Sequence, residues 1–246
     1  MTMPVVENGC AIIGEHWLQG RTAYGGVSAA IALIAVKAAF DDLPPLRSAQ
    51  IAFVGPLSGA VRAAPTLLRR GKNSAFIACD LTGADGIGLR ALFLFMASRD
   101  SAIAHGDLAI EPPTVPEDAP IDGHSVGPGF VANFEFAKVG EPVSGNWLRW
   151  ARLKDRFGLD PEVELVAIAD ALPPAAMSVA KQWGPISTTT WQLNLLTDAL
   201  LARGGWWLLG AELLHAGRGS SSQNMTIWNR DGEAVATATQ SVAIFV

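Results

Sequence analysis

The same order of apolar segments occurs twice along this chain, and this repetition constrains its fold more than any other feature. In each half, an apolar helical segment precedes several segments that have the alternation and the turn residues of β-strands. Between the halves lies "EPPTVPEDAPIDGHSVGPG", residues 111–129, whose proline, glycine and acidic residues are typical of a linker. We therefore expect an N-terminal repeat over 1–110, a linker over 111–129 and a C-terminal repeat over 130–246.

Both repeats carry the same kinds of element. The first helix is predicted over Tyr24–Phe40, and the second from about Pro161, where a proline followed by acidic residues suits a helix N-terminus. The closing hairpins align, because Asp85-Gly86 falls on Asp231-Gly232. A helix that is apolar nearly all round needs sheet on most of its sides. The sequence thus predicts an α+β fold with two repeats, each a long helix wrapped by an antiparallel sheet, and the two sheets could continue into one another.

Composition narrows the classes of partner. Hydrophobic residues make up 50% of the chain and charged residues 17%, which is typical of a protein that buries much of its surface in a core or in contacts between copies. A net charge of −5 argues against a nucleic-acid partner, since such a partner needs a basic stripe. The strand edges expected at each end of the sheet favour a homo-oligomer, a dimer or higher.

A membrane span is the competing interpretation of the apolar segment Ala23–Val36. This segment falls short of the roughly 20 apolar residues that a span needs, and Lys37 follows it at once, so we interpret it as a buried helix. The N-terminal "MTMPVVENG" has neither a basic nor an apolar region of a targeting signal, so we expect a cytoplasmic protein.

The stretch "GHSVG", residues 123–127, matches the G-x-S-x-G pattern of serine hydrolases, in which Ser125 would be the nucleophile and His215 its base. That motif needs a strand before the serine and a helix after it, whereas here proline-rich segments lie on both sides. We interpret the match as part of the linker. The four histidines show no spacing suited to a metal, and we predict neither a metal site nor a cofactor.

Polar residues on otherwise apolar faces are the better candidates. Asp170 lies in "IADALPPAAM", an aliphatic run broken by two prolines that should bend or end the helix just past the acid. Gln240 is the polar member of the apolar side of "ATATQSVAIF". In "STTTWQLNLL" the alternation places Thr188 and Thr190 on one face and Thr189 on the other.

The first repeat lacks these groups. Leu94 takes the position equivalent to Gln240, and no acidic residue lies between Ala23 and Phe40. An acid, a hydroxyl and an amide converging in only one copy could hold a water molecule, with the carboxylate accepting its proton as the water attacks. The helix start at Tyr24-Gly25-Gly26 could supply backbone N–H groups to a developing oxyanion.

This arrangement resembles the double hot-dog acyl-CoA thioesterases of the thioesterase II type over nearly the whole chain. The similar stretches are "GRTAYGGVSAAIALIAVKAAF", "IADALPPAAM" and "DGEAVATATQSVAIF". The resemblance implies hydrolysis of acyl-CoA by a water that an Asp, a Thr and a Gln orient. Here Asp170 would be the base and Gln240 the water-positioning amide, with Thr188 as the catalytic threonine and Thr190 as its alternative. The resemblance also implies that Tyr24, Gly25, Gly26 and Thr190 lie against the substrate.

Two other functions fit the same fold. One is a non-catalytic protein that binds acyl groups or acyl-CoA. The other is an enoyl-CoA hydratase, but such enzymes pair their aspartate with a histidine five residues on, and here that position is Ala175.

Overall fold

The computed structural model describes residues 2–114, 127–141, 143–182 and 184–245. In these residues the chain forms two α-helices, α1 (Gly25–Ala39) and α2 (Pro161–Ala169). Short 3₁₀ turns lie at Glu15–Trp17, Gly129–Asn133, Ala175–Ser178 and Arg203–Gly205. The strands are β1 (Cys10–Ile13), β2 (Leu18–Gln19), β3 (Thr22–Ala23), β4 (Leu46–Phe53), β5 (Gly59–Arg70), β6 (Ser74–Gly83), β7 (Gly86–Met96), β8 (Phe134–Lys138), β9 (Asn146–Leu153), β10 (Ile186–Leu195), β11 (Trp207–Gly217), β12 (Ser220–Trp228) and β13 (Ala234–Ile244).

Eleven of these strands form one antiparallel sheet in the order β1-β5-β6-β7-β4-β10-β13-β12-β11-β9-β8. The strands of residues 10–96 and those of residues 134–244 meet where β4 pairs with β10, with Ala49 opposite Leu193. The expected continuation of one sheet into the other is therefore confirmed. Both aligned hairpins are also confirmed, because β6 turns into β7 and β12 into β13 at the two Asp-Gly positions.

Helix α1 is buried on nearly every side, as its apolar sequence predicts. Its residues pack against β5, β6 and β7 and against α2. Helix α2 is shorter than the long helix expected, because it ends at Ala169 after nine residues. It begins at Pro161, where the Asp160 side chain accepts the N–H groups of Glu162 and Val163.

The two helices pack antiparallel, and contacts at both ends hold them together. Lys37, near the end of α1, lies 2.5 Å from Asp160 and 2.8 Å from Glu162 at the start of α2. At the other end, the Tyr24 hydroxyl donates to the carbonyl oxygen of Ala167 at 2.8 Å. This packing brings the residue that follows α2, Asp170, to the first turn of α1.

Two further sequence features are the possible membrane span and the serine-hydrolase pattern. The described residues include no helix of sufficient length and apolarity to cross a membrane. Ser125, the residue of the serine-hydrolase pattern, lies outside the described residues, whereas His215 lies exposed on β11.

Candidate active site

Asp170 lies at the C-terminus of α2, where its side chain meets β13 and the start of α1. Gln240 Nε2 donates to Asp170 Oδ1 at 2.6 Å. The backbone N–H of Gly26 donates to the same carboxylate. Burial raises the pKa of Asp170 to about 7, and the hydrogen bonds from Gln240 and Gly26 oppose that rise. A carboxylate that titrates near neutral pH can accept a proton and release it again.

The Gln240 amide belongs to a longer polar row. Gln240 on β13 lies opposite Trp191 of β10 and Gln223 of β12, and all three are buried. Gln223 Nε2 donates to Gln240 Oε1 at 2.8 Å, and Gln223 Oε1 accepts the N–H of Ala175 at 2.6 Å. The amides therefore link Asp170 to the 3₁₀ turn that follows the two prolines.

Gln223 is a site residue that the sequence analysis missed. A signal was present, because the alternation of β12 places Ser221 and Gln223 on the same face as Met225 and Ile227, which are buried. This is the same pattern, a polar residue on an apolar face, that singled out Gln240.

The start of α1 approaches the carboxylate so closely that it needs glycine. A Cβ on Gly25 would lie 2.5 Å from Asp170 Oδ2, and one on Gly26 would overlap the carbonyl oxygen of Ala167. Tyr24 is buried, with its ring stacked on Phe130 at 4.3 Å between centroids. Burial raises the pKa of Tyr24, and the nearby Asp170 raises it further, so the hydroxyl stays a donor to Ala167. Direct contact of Tyr24, Gly25 and Gly26 with a substrate stays a prediction.

The two candidate threonines do not share a face, and that expectation is wrong. A β-bulge between Thr188 and Thr190 places Thr188 opposite Val242 but Thr190 opposite Ser241. Val242 is buried beside Gln240, whereas Ser241 and Thr190 are exposed on the other face. Only Thr188, which is partly exposed, lies on the side of Gln240.

Two buried polar atoms on this face have no partner within the described residues. They are Ser221 Oγ and Trp191 Nε1. Ser221 lies opposite Val242, so that Ser221 and Thr188 flank Val242 on neighbouring strands. Buried polar groups are rarely left unpaired, so each of these atoms is available to bind a water or a ligand oxygen. The described residues hold no group of three His, Cys, Asp or Glu side chains placed to bind a metal.

The structure thus brings a buried carboxylate and a fixed amide together, and it places the residues Thr188 and Ser221 on the same side of the sheet as that amide. A family model for the acyl-CoA thioesterase C-terminal domain matches residues 110–244, and the model for the N-terminal domain matches residues 13–96. The chain belongs to the acyl-CoA thioesterase family. The resemblance inferred from the sequence is confirmed at this level, and membership supports thioester hydrolysis as the general class of reaction.

Several solved structures share the fold of this chain. A hot-dog-fold protein from Alicyclobacillus acidocaldarius is 18% identical with a TM-score of 0.88, covering 99% of this chain and 96% of that one. The tesB protein of Mycobacterium avium subspecies paratuberculosis is 18% identical with a TM-score of 0.79, covering 96% and 92%. Acyl-CoA thioesterase II TesB2 of Mycobacterium marinum is 17% identical with a TM-score of 0.71, covering 90% and 89%. At these identities the likeness shows the hot-dog fold alone. No curated protein matches the chain.

Proposed function

We propose that this protein hydrolyses acyl-CoA thioesters to free CoA and a carboxylic acid, with Asp170 as the general base. The observation that carries this proposal is the bonding of Asp170. Its carboxylate is held by Gln240 and by the N–H of Gly26, and its pKa lies near 7. A base needs a pKa near the working pH, so that it is ionised before the reaction and protonated during it.

In the proposed reaction, Asp170 takes a proton from a water as the water oxygen forms a bond to the thioester carbonyl carbon. The carbonyl oxygen then carries the negative charge, and the N–H of Gly25 in the first turn of α1 would donate to it. When this intermediate collapses, the carbon–sulfur bond breaks and the thiolate of CoA leaves. The proton held by Asp170 passes to the leaving sulfur, which restores the base.

We assign Gln240 and Thr188 to the binding of the attacking water. Both lie on the same side of the sheet, and the side-chain oxygen of Thr188 can accept or donate a hydrogen bond. Ser221 is a further donor on this face, since its buried hydroxyl has no partner within the described part of the chain. Thr190 is not included, because it lies on the opposite face.

The test is release of free thiol from acyl-CoA substrates across a range of chain lengths. Asp170→Asn and Gln240→Leu should each lower kcat with the fold retained, by about 100-fold or more for the base. Ser125→Ala should leave the rate unchanged, which separates this mechanism from a serine hydrolase. Wild-type rates in both Asp170→Asn and Gln240→Leu would overturn the mechanism. Acyl-CoA binding without any cleavage by the wild type would favour the non-catalytic function.

A further inference from the structure

Three hydrogen bonds run in one direction from a backbone amide to the carboxylate of Asp170. Ala175 N–H donates to Gln223 Oε1 at 2.6 Å, Gln223 Nε2 donates to Gln240 Oε1 at 2.8 Å, and Gln240 Nε2 donates to Asp170 Oδ1 at 2.6 Å. A backbone N–H can only donate, so it requires the oxygen of the first amide to face it. Because Gln223 Oε1 faces Ala175, its NH₂ group faces Gln240, and this sets the orientation of the Gln240 amide.

We propose that Gln223 is a positioning residue, which holds the Gln240 amide with its NH₂ group toward Asp170. This inference rests on the proposed function, because it assigns Gln223 to the orientation of the catalytic base and its amide partner. With its NH₂ group toward Asp170, Gln240 favours the ionised carboxylate. With its carbonyl oxygen there, it would favour the protonated acid.

Burial prevents the amides from turning freely. Gln223 is 1% exposed and Gln240 is 4% exposed, so water does not compensate for a reversed amide. The donor at the start of the chain is also fixed. Ala175 is the first residue of a 3₁₀ turn, where backbone N–H groups lack partners within the turn, and Pro174 before it restricts the backbone.

No other charged group in the described residues competes with the Gln240 amide in setting the protonation of Asp170. Strands β10, β12 and β13 carry no ionisable side chain. The titratable group that faces Asp170 from α1 is Tyr24. Charged side chains on the other elements packed nearby have partners of their own: Lys37 of α1 pairs with Glu162 of α2, Glu164 of α2 with Arg156, Arg47 of β4 with Asp198, and Arg152 of β9 with Glu135. Arg149 of β9 lies over the ring of Trp147.

Two variants of Gln223 test the proposal, one by reversing the Gln240 amide and the other by releasing it. In Gln223→Glu the carboxylate still accepts the Ala175 N–H, but it can only accept from Gln240, which reverses that amide. In Gln223→Met the orientation of Gln240 is released without adding a charge. In both, the half-protonation pH of Asp170, followed by ¹³C NMR of its carboxyl carbon, should rise by about one pH unit. The acidic limb of kcat/KM should move with it, and kcat/KM at pH 6 should fall about tenfold with little change at pH 9.

Asn224 provides the matched control, because it is the next residue of β12 and its side chain is exposed on the opposite face. Asn224→Asp and Asn224→Met should leave the Asp170 titration and the pH profile unchanged. An unchanged Asp170 titration in folded Gln223→Met would overturn the positioning role.

A measurement on the wild type keeps the proposal testable if both variants fail to fold. The side-chain ¹⁵N signal of Gln240 should follow the Asp170 titration, with a smaller response at Gln223, and a Gln240 amide that does not respond would overturn the proposal. These NMR readouts need no turnover. If the wild type cleaves no thioester but the Gln223 variants shift the Asp170 titration, the proposed function is refuted and the positioning role is retained. If the wild type cleaves thioesters but the variants leave the titration unshifted, the proposed function is retained and the positioning role is refuted.

Discussion

Asp170 occupies a position where a negative charge is costly. Burial raises the pKa of its carboxyl to about 7 in the folded protein, compared with about 3.9 in an unfolded chain. The folded state therefore binds this proton more tightly than the unfolded state. It follows that the contribution of Asp170 to the free energy of unfolding falls as pH rises from about 4 to about 7.

Asp170→Asn should remove this pH dependence. The variant loses one acceptor for Gly26 or Gln240, so its stability has a constant offset from that of the wild type. Once that offset is subtracted, the free energy of unfolding of the variant should rise relative to that of the wild type between pH 4 and pH 7, by at most about 4 kcal/mol. Above pH 7 the difference should stay constant. Urea unfolding of both proteins at several pH values measures the difference. A difference that is constant from pH 4 to pH 8 would show that the charge of Asp170 carries no such cost.

The sequence predicts the residues of the site better than their partners. Asp170 and Gln240 were identified because a polar residue on an apolar face is visible within one segment. The contact of Gln223 with Gln240 depends on the register between two strands, which no single segment contains. Thr190 was misplaced for a similar reason: a run of three threonines is compatible with a regular strand or with a bulge, and only pairing with β13 decides between them.

At the scale of elements, the two adjacent glycines at the start of α1 leave room for different neighbours. A Cβ on Gly25 would meet Asp170 Oδ2 at 2.5 Å and Phe53 Cζ at 3.0 Å, and both are side-chain atoms that can move. A Cβ on Gly26 would meet the backbone of Ala167, which can move only if α1 and α2 separate.

Gly25→Ala should therefore displace the base while the fold persists, lowering kcat by about 100-fold. Gly26→Ala should instead lower the free energy of unfolding by about 1–3 kcal/mol. Gly55→Ala is the control, because its Cβ would lie 3.5 Å from Ile87 O, an ordinary contact. Kinetics and thermal unfolding of the three variants check that Gly25 affects activity and Gly26 affects stability. The prediction fails if Gly25→Ala and Gly26→Ala change stability and activity in the same proportion.

Local signals explain which elements were predictable. The start of α2 at Pro161 and the Asp-Gly hairpins follow from residues adjacent in sequence, and the structure confirms them. The end of α2 at Ala169 is earlier than the prolines alone require, since Pro173 lies four residues further on. The 3₁₀ turn at Gly129–Asn133 depends on a contact distant in sequence, because Phe130 packs onto Tyr24.

For the whole molecule, the decisive contact is the pairing of β4 with β10 in the middle of the sheet. Below this scale the two predicted repeats look independent, since each has its own helix and its own hairpin. The site is not independent, because Asp170 follows α2 and the Gly26 N–H group that holds its carboxylate belongs to α1. The proposed catalytic arrangement therefore requires the two halves of the chain to stay joined.

We expect the joined sheet to open as one unit. Ala49 of β4 is fully buried opposite Leu193 of β10, so Ala49→Asp would place a charge in the junction. Hydrogen exchange should then speed up on both sides, in β6 and in β12, because separation leaves β4 and β10 as unpaired edges and the loss of pairing spreads from them through each half of the sheet. Gln50→Asp adds the same charge one residue along, on the exposed side of β4, and should leave both strands protected. Faster exchange in β6 alone would mean that the N-terminal half opens while the C-terminal half stays folded.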